Sequence, residues 1–385
     1  MGSPGRRPRR RWLVRALAGL SALLAAVAIA VILVQTWEPA FVLYKRIKAP
    51  SRYTYDEIKP EYAAIDPAQF LSIEAPGAVE PLRARLREIV RGGWPGPTEF
   101  ADITGTIEIH SDELPTKRLA ELRALSPVAS LRAFRFDFGG GTLSYAVHLR
   151  PPSTTGETVV LQYGFAGEFH DGRDYIERLL AEGISVIGLN LLAYGGNSIY
   201  RNSSGVRTNL HHQVNDIPGG LFPHVAQITW AISLAQALDP GWPVHLVGFS
   251  MGAHLVTLAA AIDPRPTVVS ANSGIYPSYL RDRKLDAPVG VATHRALLAA
   301  ASELDLMLLA ALGERRHAMQ VFNRYDRCCY SNTKGKLYEP TLQARIKSLG
   351  LPGGFHVVID ESHGRHKLSP LAAEALIETI ARSKN

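Results

Sequence analysis

The order of hydrophobic and polar positions divides the chain into three parts. Residues 16–34 carry no charge and are apolar throughout, which predicts a helix roughly 28 Å long, enough to cross the hydrocarbon core of a bilayer. Residues 35–128 are weakly patterned and predict two helices, at 81–91 and 116–125. From Leu131 onward, short apolar runs alternate with helical periodicity.

This third part predicts an α/β domain. Residues 131–138 and 143–149 alternate apolar and polar positions around a run of three glycines, as in a β-hairpin. Alternating strands and helices then require right-handed crossovers and a mostly parallel sheet flanked by helices. The further predicted strands are 158–162, 184–189, 243–249, 267–270, 318–322 and 355–359, and the helices are 173–182, 225–238, 251–262, 341–349 and 371–381.

The charge of the chain is concentrated at its N-terminus. The net charge is +7, and six arginines lie within the first fifteen residues, so removing those six charges leaves +1 for the rest. The basic pI therefore gives no reason to expect nucleic acid as a partner. Arginines before the span, with Trp12 and Trp37 beside its ends, predict a cytoplasmic N-terminus and an extracytoplasmic domain.

These features predict a single-pass signal anchor. The predicted organisation is a basic cytoplasmic tail at 1–11, a transmembrane anchor at 12–36, a membrane-proximal pedestal or cap at 37–128, and the α/β domain at 129–385. A cleaved signal peptide is the alternative, because Ala28-Ile29-Ala30 is a small-x-small triplet, and the arginines also loosely resemble a twin-arginine export signal.

Candidate chemistry centres on Gly248-Phe249-Ser250-Met251-Gly252, which lies between an apolar predicted strand and an Ala- and Leu-rich predicted helix. A serine on so tight a strand-to-helix turn has its hydroxyl presented above the sheet, and the glycines leave room for the crossing elements. The pattern predicts Ser250 as a nucleophile and the backbone N–H of Met251 as one donor to an oxyanion.

The order of these motifs resembles the α/β-hydrolase superfamily, and the resemblance covers residues 131–385. It implies an acid after the strand at 318–322, where Asp326 is the carboxylate of the loop, and a histidine after the last strand. His363 matches the family position better than His366, which stays an alternative. The second oxyanion donor belongs to the loop after the strand at 158–162, and the candidate is the backbone N–H of Phe165.

The two cysteines, Cys328 and Cys329, are adjacent in the sequence. Their Cα atoms are roughly 3.8 Å apart across a trans peptide, below the usual disulfide range. Two alternatives stay open for these cysteines: a vicinal disulfide that stiffens the loop of Asp326, or a pair of free thiols. No matching Cys/His pair accompanies them, so we expect neither a metal nor a cofactor.

The sequence thus predicts a membrane-anchored serine hydrolase that cleaves a carboxylic ester through an acyl-enzyme. The polar stretch at 190–198 suits O-acyl groups of an envelope glycan, with a lipid ester as the other possibility, and the insertion at 292–312 is either a lid over an acyl pocket or a pair of packing helices. An acyltransferase with the same triad and a non-catalytic binding protein are the alternatives. The sequence does not indicate an oligomeric state.

Overall fold

A nine-stranded mixed sheet forms the centre of the protein. The computed structural model describes residues 8–48, 58–94, 100, 103–139, 142–165, 167–192, 214–281, 290–326 and 328–384. In these residues the strands are β1 (Ile107–Ile109), β2 (Ser130–Asp137), β3 (Leu143–Arg150), β4 (Thr158–Gln162), β5 (Ser185–Leu189), β6 (Val244–Phe249), β7 (Val268–Asn272), β8 (His317–Asn323) and β9 (Gly354–Asp360).

The sheet has the order β1-β2-β3-β5-β4-β6-β7-β8-β9. The pairs β1–β2, β2–β3 and β3–β5 are antiparallel, and all pairs from β5 to β9 are parallel. The predicted mostly parallel sheet is confirmed. Because β4 and β6 to β9 run in one direction, the loops that follow them meet at a single edge of the sheet.

Helices cover both faces of the sheet, and two apolar clusters lie between helices and sheet, one on each side. They are α1 (Pro8–Thr36), α2 (Glu38–Lys48), α3 (Pro60–Ala63), α4 (Val79–Arg91), α5 (Leu119–Arg123), α6 (Arg173–Ala181), α7 (Phe222–Leu238), α8 (Met251–Ile262), α9 (Arg295–Ala300), α10 (Glu303–Ala311), α11 (Gly335–Leu349) and α12 (Pro370–Ser383).

Residues 58–94 pack into the larger cluster of the α/β domain. Leu86 and Val90 of α4 are fully buried in it. The buried guanidinium of Arg83 donates to the carbonyl oxygen of Leu309 at 2.9 Å, and Arg87 donates to the carbonyl of Ile262 at 2.9 Å. These arginines therefore satisfy carbonyls at the C-terminal ends of α10 and α8. This part of the predicted pedestal or cap shares the core of the domain, and β1 adds a strand to its sheet before residue 129.

The insertion at 292–312 contains the helices α9 and α10. Every residue of α10 is buried, and the helix begins at a capping box in which Ser302 and Asp305 bond each other's backbone N–H groups. A helix buried along its whole length is part of the core, so the alternative of a lid does not apply to α10.

The N-terminal helix α1 is uncovered by the rest of the protein. Val14–Thr36 is long and apolar enough to cross a membrane, and none of that window is buried. Such a helix is also what a signal sequence forms, so length and composition leave both possibilities open.

Candidate active site

Ser250 occupies a strained turn between β6 and α8. Its backbone has φ 55° and ψ −120°, a conformation that L-residues rarely adopt. The turn is held on both sides, because the Ser250 N–H donates to the carbonyl of Asn272 at 2.8 Å and the Ala253 N–H donates to the carbonyl of Ser250 at 3.0 Å. The predicted strand–serine–helix arrangement is present, with the serine where a nucleophile would be presented above the sheet.

Two glycines let the end of β4 lie directly on this turn. A Cβ added at Gly252 would be 2.2 Å from the carbonyl oxygen of Gln162, so only glycine fits at the start of α8. A Cβ at Gly164 would be 2.7 Å from the Cβ of Ser250. The loop after β4 therefore touches the serine itself.

The two predicted oxyanion donors lie on either side of this contact. Met251 is the first residue of α8, where backbone N–H groups lack a partner within the helix, and Phe165 follows Gly164. A buried chain of amides supports the loop: Gln227 of α7 donates to the Gln162 side chain at 2.8 Å, which donates to the carbonyl of Tyr163 at 3.1 Å. The roles of Met251 and Phe165 as donors stay predictions.

Asp326 follows β8 and is completely buried. Its Oδ1 accepts the N–H of Cys328 at 2.7 Å, and its Oδ2 lies 2.5 Å from Nδ1 of His366. With the proton on Nδ1 and donated to the carboxylate, the lone pair of His366 is on Nε2. This is the tautomer that a general base needs. The His366 ring also packs against Phe249, the residue before the serine, with 4.7 Å between ring centroids.

The preference for His363 is not supported by this geometry. His363 is buried beside Asp360, with 3.2 Å between Nε2 and Oδ2. Its Nδ1 accepts the backbone N–H of Arg365 at 3.3 Å and pairs with the Asn323 amide at 3.0 Å. The Nδ1 lone pair is therefore used, and the Nε2 proton is held by Asp360. The sequence position nearer the strand end favoured His363, but the loop turns so that the histidine three residues later meets Asp326.

Asn323, the last residue of β8, connects the acid loop to the histidine loop. Its amide donates to the carbonyl of Arg365 at 2.6 Å, and its Oδ1 accepts the N–H of Tyr325 at 3.1 Å. The sequence reasoning missed this residue. A polar amide that ends an apolar strand next to a candidate acid is the signal that could have drawn attention to it.

Asp360, the last residue of β9, was also missed. Burial would by itself raise the pKa of Asp360, but hydrogen bonds from His363, Ser362 and Ser369 outweigh it and lower the pKa to about 2. The carboxylate is therefore charged at neutral pH, and it anchors both ends of the histidine loop.

Cys328 and Cys329 form the vicinal disulfide that the sequence left open. Their sulfur atoms and a ring nitrogen of His366 all lie within 4.8 Å of one another. Both sulfurs are bonded to each other, so they offer no thiolate to a metal. The disulfide instead joins Cys328, whose N–H binds Asp326, to the next residue.

His254 lies one helical turn after Ser250, and burial lowers its pKa to about 3, so it is a neutral residue packed under the turn. The polar stretch at 190–198 is described only to Leu192, and its remaining residues lie outside the described part of the chain. Asn190 accepts the N–H of Phe169 at 2.8 Å and so holds the start of that stretch.

A family model described as alpha/beta hydrolase fold matches residues 157–279. The chain has the α/β-hydrolase fold. The match includes Ser250 and Met251 and ends before residue 280, so it does not extend to the candidate acid Asp326 or to the candidate histidines His363 and His366.

Solved structures with this fold include esterases. The structure is similar to the methylesterase BT1017 with a TM-score of 0.55 and 14% identity, covering 80% of this chain and 63% of that one, so this chain spans less than two thirds of the methylesterase. It is also similar to an acetyl xylan esterase from Paenibacillus sp. R4, with a TM-score of 0.50 and 12% identity over 85% of this chain and 99% of that one.

A second acetyl xylan esterase, from Thermoanaerobacterium sp. JW/SL YS485, has a TM-score of 0.50 and 12% identity over 86% of this chain and all of the other. No curated protein sequence matches the chain. At such low identity the likeness to solved structures is a likeness of fold, and function has to be argued from the site.

Proposed function

We propose that the protein is a membrane-anchored serine hydrolase that cleaves a carboxylic ester through an acyl-enzyme. The observation that carries this proposal is the combination of a strained serine, Ser250, with the buried Asp326 and the partly buried His366, whose ring packs on the residue before that serine. The esterase names of similar structures agree with this reaction, although they are names of other proteins.

In the proposed mechanism, Nε2 of His366 takes the proton of the Ser250 hydroxyl as Oγ attacks the ester carbonyl. Asp326 keeps the other ring nitrogen protonated and stabilises the imidazolium. The N–H groups of Met251 and Phe165 stabilise the oxyanion of the tetrahedral intermediate. This intermediate expels the alcohol as the His366 imidazolium gives its proton to the leaving oxygen. Water then attacks the acyl-enzyme, with His366 again as the base, and releases the carboxylic acid.

Anchoring through α1 is the second part of the proposal. The apolar side chains along Val14–Thr36 are about half exposed or more, for example Leu24 at 61% and Ile29 at 58%. Such a surface is stable in hydrocarbon and unfavourable in water. The six arginines within the first fifteen residues favour a cytoplasmic N-terminus and an extracytoplasmic α/β domain.

A fluorophosphonate probe tests the chemistry. We expect wild-type protein to be labelled, and Ser250→Ala to lose the label, because the probe reacts with an activated serine hydroxyl. Ser273→Ala is the matched control, since Ser273 also has a positive φ at a strand end near the site but does not lie on the turn between β6 and α8. Labelling of Ser250→Ala equal to wild type, or no labelling of wild type, would reject a serine hydrolase and leave a binding protein on this fold.

Transfer of the acyl group to an alcohol uses the same intermediate. Activity on an ester with and without added glycan acceptors distinguishes the two outcomes: free acid as the product indicates hydrolysis, and an acylated acceptor indicates an acyltransferase.

A further inference from the structure

The short helix α2, which follows α1 after the single residue Trp37, packs on the loops of the candidate site. Phe41 is only 7% exposed, and a Cβ added at Gly364 would be 2.4 Å from its ring. Gly364 lies between His363 and His366. The helix directly after the apolar span therefore contacts the loop that carries the proposed base.

A second contact reaches the loop of the proposed acid. The guanidinium of Arg46 lies 4.8 Å from the ring centre of Tyr325 and donates to its hydroxyl. Tyr325 is the residue before Asp326. In addition, Arg365 donates to the carbonyl of Gln35, near the end of α1. Both loops follow parallel strands, so the end of α1 lies at the same sheet edge as Ser250.

The side of α2 that does not contact the domain is apolar. Leu43 is 58% exposed and Ile47 is 71% exposed, and these two residues are one helical turn apart on the same face. Trp37 is 57% exposed at the junction with α1. An exposed apolar face that continues directly from a membrane span is suited to the headgroup region of the same bilayer, where tryptophan is enriched.

The geometry limits how far the site can be from the membrane. Trp37 and Phe41 are four helical residues apart, and Gly364 and His366 are two residues apart. Together with the Phe41 side chain, these lengths place the base within about 20 Å of the end of the span. The polar layer of a bilayer is about 6 Å thick on each side. An ester on a headgroup that projects beyond this layer can cover such a distance.

We propose that the candidate site faces the bilayer that holds α1, and that its substrate is an ester on the polar part of a bilayer-anchored molecule, such as an O-acylated glycolipid. This inference rests on the hydrolase and the membrane span proposed above. The apolar face of α2 seats on the headgroup region, and its other face holds the acid and histidine loops.

The experiment compares one reacting group in two forms. Full-length protein in nanodiscs is given 7-acetoxycoumarin either free in solution or tethered to the headgroup of phosphatidylethanolamine in the same disc. Three EAAAK repeats inserted after Trp37 add about 22 Å of helix between span and site. We expect this insertion to lower the rate on the tethered ester at least ten-fold and to leave the free-ester rate unchanged. The same insertion after Gly2 is the control and should change neither rate.

Substitution of the apolar face is an independent test. We expect Leu43→Ser with Ile47→Ser to lower the rate on the tethered ester several-fold and to spare the free ester. Leu298→Ser, at a residue of α9 that is 45% exposed, is the matched control.

Three outcomes would overturn the inference. The first is an unchanged tethered-ester rate after insertion. The second is an equal loss on both esters after insertion. The third is that Leu43→Ser with Ile47→Ser leaves the tethered-ester rate unchanged but abolishes a dimer detected by mass photometry. That result would assign the apolar face of α2 to a contact with a second copy of the chain. A failure of wild-type protein to hydrolyse even the free ester would instead reject the hydrolase, and with it this inference, so the two failures are distinguishable.

Discussion

Replacing His363 and His366, one at a time, tests which of these two histidines in the loop between β9 and α12 is the base. Asparagine is the appropriate substitute at both positions because its side chain can replace the Nδ1 side of the ring and lacks a basic nitrogen. In His366→Asn, the amide N–H can still donate to Asp326. In His363→Asn, the amide oxygen can still accept the N–H of Arg365, and the contact with Asp360 is lost.

His366→Asn should mainly lower activity, whereas His363→Asn should mainly lower stability. Without the base, His366→Asn should lose roughly 10⁴- to 10⁶-fold in kcat, about 5.5 to 8 kcal/mol of transition-state stabilisation, with little change in stability. His363→Asn removes a hydrogen bond to a buried carboxylate, which costs about 1.5 to 3 kcal/mol of unfolding free energy. At about 2 to 4 °C per kcal/mol, its Tm should fall by roughly 3 to 12 °C.

The assay is hydrolysis of a soluble acetate ester by purified full-length protein, together with thermal unfolding of each variant in the same detergent. Rates are compared at a temperature where both variants are folded. We expect His363→Asn to stay within about ten-fold of the wild-type kcat, since the ring is not expected to touch the reacting atoms. If His363→Asn loses activity by several orders of magnitude while His366→Asn stays active, the tautomers inferred from the hydrogen bonds are wrong and His363 is the base.

Three further predictions concern the surroundings of these residues. Asp326→Asn should lower kcat about 10⁴-fold in the same ester assay, because the amide cannot hold the ring in the required tautomer; activity near wild type would exclude Asp326 as the acid. Reducing the Cys328–Cys329 disulfide with dithiothreitol should lower kcat roughly 10- to 100-fold, because it displaces the N–H that binds Asp326. A variant with both Cys328→Ser and Cys329→Ser should already have the lower kcat and should not respond to dithiothreitol. A further loss of activity in that variant on adding dithiothreitol would contradict the explanation. The folded pKa of Asp360 is about 2, below the ordinary value of 3.8, so its contribution to stability is complete above about pH 5 and is lost as the pH falls towards 2. This contribution is about 2 kcal/mol. Asp360→Asn should therefore reduce the loss of stability seen in unfolding midpoints between pH 6 and 3, and an unchanged dependence on pH would refute the linkage.

Local pattern predicted most of the secondary structure. The helix Met251–Ile262 begins and ends as predicted, because a glycine-rich turn and an Asp-Pro pair limit an Ala- and Leu-rich segment. Among the predicted helices, α11 differs most, since it was predicted at 341–349 and is observed at Gly335–Leu349 because Pro340 inside the helix hid its first turns. The segment at 58–94 gave little pattern, and its place in the core depends on contacts with distant helices.

The sequence by itself determined the class of the fold, the apolar N-terminal helix, and the serine turn with an aspartate after a late strand. These follow from periodicities and turn residues that act over a few positions. Tertiary structure decided which histidine meets Asp326, how Asn323 joins the two loops, and where α2 packs. Each of these depends on side chains far apart in the chain. His363 and His366 differ by three positions in one irregular loop, and only the path of that loop between β9 and α12 selects the one that faces the acid.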